Sequence, residues 1–184
     1  MLWIPTIDEI PLSILNTNNN KTTVAVKAVG KATHALHNLK NGDTIGIRGP
    51  FGNHFTEHHG KILIAAGGTG TTPLLFLAKN LAPKAKHLTF ITGAKTKNEL
   101  LFLNQLETIC TKQNTIATTE DGSHGLKCLA TKPLQKLLTK TKFDIIYTCG
   151  PEPMIRKTFE LAEKHKTPIE ASLERLIRRS IGLC

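Results

Sequence analysis

The fold turns on one stretch, Ile62-Leu63-Ile64-Ala65-Ala66-Gly67-Gly68-Thr69-Gly70-Thr71-Thr72-Pro73. Its unbroken apolar run fits a strand buried on both faces, and the glycines that follow stop that strand abruptly. Glycines let the backbone turn tightly and approach another group closely. Free amides at a helix start, together with the helix dipole, favour an anion there. Pro73 suits the first turn of the helix that follows, where a missing N–H costs little. Strand, glycine turn and helix in this order predict a phosphate cradle; for a glycine turn taken alone, a tight connection without a ligand is the plainer explanation. Proline stands where a third glycine would complete G-x-G-x-x-G, which argues against an ordinary Rossmann dehydrogenase.

Downstream of this stretch, strand-like and helix-like segments alternate. Lys61–Ala66 is followed by Pro73–Asn80, His87–Thr92 by Lys97–Cys110, Thr115–Thr119 by Leu129–Thr139, and Asp144–Cys149 by Glu152–Lys166. Alternation of this kind predicts a parallel sheet with helices on both faces, binding its ligand at the carboxyl ends of the strands. Upstream the texture differs. Short β-like runs, Thr22–Val29 and Thr44–Arg48, are separated by the turn signals Asn16–Asn20, Asn41-Gly42-Asp43 and Gly49-Pro50-Phe51-Gly52, a pattern of small antiparallel sheets or a barrel. The expected fold class is therefore α/β plus β: a partial antiparallel barrel over residues 1–57 and a parallel-sheet α/β domain over 58–168. Residues 169–184 are expected to form a short final strand and a basic helical tail.

Two further segments carry chemistry. Tyr147-Thr148-Cys149-Gly150-Pro151-Glu152-Pro153-Met154 opens a helix directly after the last long strand and puts Cys149 at the ligand edge of the sheet. A buried cysteine beside a turn is by itself an ordinary structural feature. Gly46-Ile47-Arg48-Gly49-Pro50-Phe51-Gly52-Asn53-His54-Phe55 ends a strand in a Gly-Pro turn just before the domain boundary.

Composition bounds the function. A formal charge of +10 over 184 residues calls for an anionic partner or only a solvated lysine-rich surface. The lysines are scattered and aromatics few, so nucleic acid is not expected. No apolar run is long enough to span a bilayer, and the N-terminus lacks a signal-peptide pattern. Cys110, Cys128, Cys149 and Cys184 are widely spaced, which fits reduced thiols and a cytoplasmic setting. His54, His58 and His59 have no carboxylate or cysteine at ligand spacing, so no metal is expected there.

In order and spacing, the three motifs resemble the ferredoxin-NADP reductase superfamily: a flavin-binding barrel ending in GPxGxxF, a GGxGxxP nucleotide turn and a terminal CGPxxM. Trp3–Ser13, Gly30-Lys31-Ala32-Thr33, Thr119–Gly125 and Ala171–Arg175 are most similar to the electron-transfer subunits of dihydroorotate dehydrogenases. The gamma subunits of cytosolic hydrogenases are near relatives by the same motifs. The resemblance implies FAD held by Pro11, Leu12 and Ser13 around its ring system, with Val26, Lys27 and Ala28 as strand residues and Gly30 and Thr33 holding the rest. Ser13 would bond near the reactive edge, while the family's arginine is replaced by Ile10. NAD(P) would lie over Gly67, Gly68, Thr69, Gly70, Thr71, Thr92, Gly93 and Asp121, and over Cys149, Gly150, Pro151, Glu152, Pro153 and Met154. Ser13 and Cys149 would stand nearest the reaction. A catalytic flavoprotein subunit in a hetero-oligomer is the implied partner. Lys95 and Lys97 hint at a 2′-phosphate, whereas the similar subunits favour NAD.

Two departures temper that picture. The family continues past its SLER segment with the ligands of a two-iron cluster; here Arg179 stands at the first ligand position and only Cys184 at the second. Four thiolates usually hold such a cluster, so none is expected on this chain. Met1 aligns inside the family's barrel, so about two opening strands are expected to be missing, which leaves sheet edges unpaired. The alternative functions are a gamma-type subunit of a cytosolic hydrogenase, or a degenerate regulatory or scaffold subunit that keeps the fold without the redox centres.

Overall fold

In the computed structural model, which describes residues 1–173, the first strands obey the two-residue alternation of a half-buried sheet. Strand β1 (Leu2–Ile4) buries Leu2 and Ile4 and turns Trp3 outward. It pairs antiparallel with β2 (Asp8–Ile10). A separate hairpin joins β3 (Ile14–Asn18) to β4 (Lys21–Val24) through Asn19 and Asn20, both at positive φ, a conformation asparagine tolerates well. Helix α1 (Lys31–Asn38) follows, and then β5 (Gly46–Ile47), which pairs with β1 to give the order β2-β1-β5. Leu2, Ile4 and Ala32 centre a small core with Ile10, Leu12, Val24 and Leu36 packed on it.

Two expectations for this region are corrected. Val26, Lys27 and Ala28 are not in a strand: the β4 ladder ends at Val24 opposite Ile14, and Pro11, a little further along the partner segment, has no N–H to extend it. The Val26 carbonyl instead lies 3.0 Å from His37 Nε2 on α1. The Gly30–Thr33 segment is the start of a helix rather than a turn, because Ala32, Ala35 and Leu36 recur at helical spacing and face the core.

The second unit, Phe55–Leu173, contains the parallel sheet. Its strands are β6 (Lys61–Gly67), β7 (His87–Ala94), β8 (Thr115–Thr119), β9 (Leu126–Lys127), β10 (Ile145–Cys149) and β11 (Ile169–Ser172), in the order β11-β10-β6-β7-β8-β9 and parallel throughout. Helices α2 (Thr71–Leu81), α3 (Leu103–Cys110), α4 (Thr131–Lys140) and α5 (Glu152–Lys164) form the crossovers. Leu63, Ala65, Ile91, Ile146, Leu134, Leu138, Leu161 and Ala162 form one core cluster of this unit. Full burial of β6 and β10 on both faces explains why they read as continuous apolar runs.

Here too the structure departs from the sequence expectation. The helix expected over Lys97–Cys110 is a short 3-10 turn at Lys97–Glu99 and then α3, with Phe102 at positive φ between them. Leu100, Leu101, Phe102 and Leu103 are all half-buried, and four consecutive apolar residues cannot share one helical face. The short strand expected after residue 168 is β11, and it belongs to the parallel sheet rather than to a separate tail. The chain divides between His54 and Phe55, three residues before the expected boundary. Glu174, Arg175, Arg179 and Cys184, and with them the expectation about a cluster, lie outside the described residues.

Candidate functional site

Two glycine turns interlock at the carboxyl ends of β6 and β10, which are neighbours with Ala66 in register with Cys149. A Cβ built on Gly70 would run into the Cys149 carbonyl and lie 2.6 Å from the Gly150 nitrogen. One on Gly67 would lie 2.7 Å from Pro151 Cδ and 2.9 Å from Met154 Sδ, and one on Gly150 would lie 2.9 Å from the Gly67 nitrogen. Only glycine lets these backbones meet. Gly68 has φ +53° and nothing within 4 Å of its Cβ position, so it combines a left-handed turn with an open face. Thr69, Pro151, Glu152 and Pro153 are exposed around that cradle. A 3-10 turn over Gly68–Gly70 runs straight into α2, with the Thr71 N–H bonded to the Gly68 and Thr69 carbonyls; neither has a side-chain cap or an acidic residue in its first turn, so the positive end of this helical run lies at Gly68.

Beneath the turns lies a layer of buried hydroxyls. Thr71 Oγ1 and Thr92 Oγ1 are 3.4 Å apart, Thr118 Oγ1 donates to the Thr92 carbonyl at 3.5 Å, and Thr148 Oγ1 donates to the Ala65 carbonyl at 3.0 Å. Gly93 is held close by Thr118 and Ala130: a Cβ there would lie 3.0 Å from Thr118 Oγ1 and 2.9 Å from Ala130 Cβ. Asp121 follows β8, and its carboxylate accepts from Ser123 N at 2.9 Å and Ser123 Oγ at 2.7 Å. Those bonds hold the Asp121 carboxyl below the usual carboxylate range. Ser123 Oγ also accepts from Lys97 N at 2.8 Å, which ties this loop to the one after β7.

The structure thus brings Gly67, Gly70, Cys149, Gly150, Pro151 and Met154 into one contact group and links Thr71 to Thr92. Asp121 belongs to the neighbouring turn and has its own partners. Sequence reasoning gave no role to Thr118, Thr119, Thr148 and Ser123, although Thr119, Ser123 and Thr148 lie in motifs it used. The signal for the three threonines was their recurrence in the last two positions of β8 and just before the end of β10.

In the first unit, Pro11–Ser13 is an irregular segment between β2 and β3, with Pro11 and Ser13 exposed and Leu12 packed on the small core. Thr33 organises the start of α1: its hydroxyl accepts from Val29 N and Gly30 N, both at 2.9 Å. Lys27 and Ala28 are exposed, and Val26 is half-buried. Among the described residues no group of three or more histidines, cysteines and carboxylates could hold a metal ion. His54 and His59 are exposed and His58 is half-buried.

The parallel sheet with two interlocked glycine turns at its carboxyl edge is the part of the chain, residues 63–160, that matches the oxidoreductase NAD-binding domain, and this match defines its class. Over all 184 residues the chain is 39% identical to a protein of Methanocaldococcus jannaschii and 38% identical to one of Pyrococcus furiosus, covering 69% and 70% of their lengths. Both are named "probable dihydroorotate dehydrogenase B (NAD(+)), electron transfer subunit". The chain belongs to this family of electron transfer subunits.

Among solved structures, the NADH-dependent reduced ferredoxin-NADP oxidoreductase superposes with a TM-score of 0.86 at 32% identity, covering 99% of this chain and 66% of that one. Phthalate dioxygenase reductase shares the fold at 18% identity, with a TM-score of 0.69 over 87% of this chain and 52% of its own. Both agree with small antiparallel sheets followed by a parallel nucleotide-binding sheet.

Proposed function

We propose that this chain passes electrons between a nicotinamide dinucleotide and the redox centre of a catalytic partner subunit, through FAD held by residues of the first unit, in the oxidation of dihydroorotate for pyrimidine synthesis. The observation that carries this reading is the interlocked pair Gly67–Gly70 and Cys149–Gly150, whose open face at Gly68 is also the uncapped start of the helical run that leads into α2. That cradle fits a pyrophosphate: backbone can approach it closely, and the helix end favours its charge. The names of the curated relatives, electron transfer subunits of dihydroorotate dehydrogenase B, support the reaction and a catalytic partner subunit; that this partner is a flavoprotein is part of the proposal.

The family resemblance suggests a role for each residue, and their places in the fold are compatible with it. Gly67 to Thr71 would hold the pyrophosphate, with Thr92 and Gly93 beside it. Cys149, Gly150 and Pro151 to Met154 would bound the nicotinamide end. In the first unit, Pro11, Leu12 and Ser13 would line the flavin ring, with Ser13 presenting an exposed hydroxyl. Val26 to Ala28, Gly30 and Thr33 would hold its remainder at the start of α1. Bound flavin supplies the redox chemistry, and the chain's own residues bind it, orient it and exclude water. The relatives, named for NAD(+), favour NAD over NADP.

The test is an absorbance spectrum of the purified chain followed by anaerobic addition of NADH. Flavin bands that bleach support the reading; a colourless chain that takes up no added flavin refutes it. A second reading, a subunit that keeps the cradle and the partner surface without a redox centre, draws on one observation. Among the described residues, the first-unit sheets have only three and two strands and leave edges unpaired.

A further inference from the structure

The segment just past the division of the chain is held by side chains whose number exceeds what solvation requires. Thr56 is exposed, so water could satisfy its backbone and hydroxyl. Three side-chain bonds are made to it all the same. Tyr147, with its side chain fully buried, donates its hydroxyl to the Thr56 carbonyl at 2.5 Å. Glu170 accepts from Thr56 N at 2.9 Å with one carboxylate oxygen and from the Thr56 hydroxyl with the other. Phe55 adds an edge-to-face contact with the Tyr147 ring, at 5.4 Å between centroids and 83° between planes.

Further along, Lys84 Nζ bonds Glu57 Oε2 at 2.6 Å, Lys86 N donates to the His59 carbonyl at 2.8 Å, and Lys61 N donates to Asp144 Oδ2 at 2.7 Å. The strap of residues 55–60 is thereby fixed at several points along its length. Its upper anchor is a single rung of the sheet, since Tyr147 and Glu170 are paired across β10 and β11. Cys149 lies two residues on from Tyr147 along β10 and on the same face, roughly 7 Å away.

We infer that Tyr147, Glu170 and Thr56 are positioning residues for electron transfer: they fix the point at which the covalent connection leaves the nucleotide-binding sheet, relative to the strand that carries Cys149. The inference rests on the electron-transfer reading above. In that reading the nicotinamide ring must meet the flavin, and displacement of reacting atoms by about 1 Å can cost as much as 100-fold in rate. Water can replace any one of the three bonds, so their loss leaves the fold in place while loosening the strap.

The experiment uses the full chain with bound FAD and three variants. Tyr147→Phe keeps the ring and removes one bond, Thr56→Val removes the hydroxyl, and Thr56→Ser restores it. Anaerobic stopped-flow follows flavin bleaching at saturating NADH, and deuterium uptake follows residues 55–57. The expected result is faster exchange in that segment and bleaching slowed about tenfold for Tyr147→Phe and Thr56→Val, with flavin content and NADH affinity unchanged and the rate recovered in Thr56→Ser. Equal bleaching rates in all variants, or unchanged exchange at residues 55–57, overturn the inference and leave the electron-transfer reading standing. An unaltered chain that binds FAD and is not bleached overturns both.

Discussion

Replacing Gly70 by alanine tests the interlocked turns directly. Gly70 has φ −60° and ψ −14°, values any residue adopts, so the substitution introduces no backbone strain. Its effect is entirely steric: the new methyl would meet the Cys149 carbonyl and lie 2.6 Å from the Gly150 nitrogen. Restoring ordinary contact means parting the two turns by about 1 Å. They stand at the ends of β6 and β10, which are locked by pairing from Ile62–Ile145 to Ala66–Cys149. Overpacking against backbone of this kind costs about 1–3 kcal/mol, which lowers the melting temperature of a chain this size by about 2–12 °C. Gly68→Ala is the counterpart. At φ +53° with nothing near its Cβ, it costs about 1–2 kcal/mol in backbone strain and sets a methyl on the open face of the cradle. Thermal unfolding and fluorescence titration with NADH separate the two effects. Gly70→Ala is expected to lose stability and binding together, whereas Gly68→Ala loses binding beyond what its stability change explains. A Gly70→Ala chain that melts and binds as the unaltered one does would refute the steric argument.

Other outcomes follow from the titrating groups. Burial pushes the Tyr147 hydroxyl up to about 12. Its neutral form is therefore favoured in the folded chain, and the stability it contributes is intact below about pH 10 and lost as pH rises towards 12; Tyr147 is the one tyrosine, so phenolate absorbance reads this transition directly. Ser123→Ala should return the Asp121 carboxyl towards the ordinary range, seen by NMR titration. In the unaltered chain the Asp121 turn should loosen only as pH falls through its lowered value. Burial likewise pushes the Cys110 thiol up to about 12, while Cys128 is half-buried, so mass-spectrometric mapping of brief alkylation should find Cys128 modified well before Cys110.

The second unit was legible because its signals are local and strong. The apolar run Ile62–Ala66 had no way to satisfy its burial except between two layers, and Gly67–Gly70 followed by Pro73 could only end that strand and open a helix. The same logic located Cys149 at the sheet edge before any coordinates. The first unit was less legible. Its strands are three to five residues long apart from the two-residue β5, too short for period-two alternation to stand out, and α1 has only Ala32, Ala35 and Leu36 to mark its inner face. Val26 to Ala28 read as strand because the run Thr22–Val29 is rich in threonine and valine, yet whether a segment joins a ladder depends on its partner strand.

Composition, the glycine turns and the order of strands and helices were enough to determine the parallel sheet, the position of the two glycine turns at its carboxyl edge and the residue types there, since each follows from the chain's immediate neighbours. Tertiary structure alone decided which turns touch. Gly70 meets Cys149 from 79 positions away, and Tyr147 and Glu170 converge on Thr56 from 91 and 114 positions away. Contacts of that range depend on where a sheet brings its strands, and no local pattern of side chains encodes it.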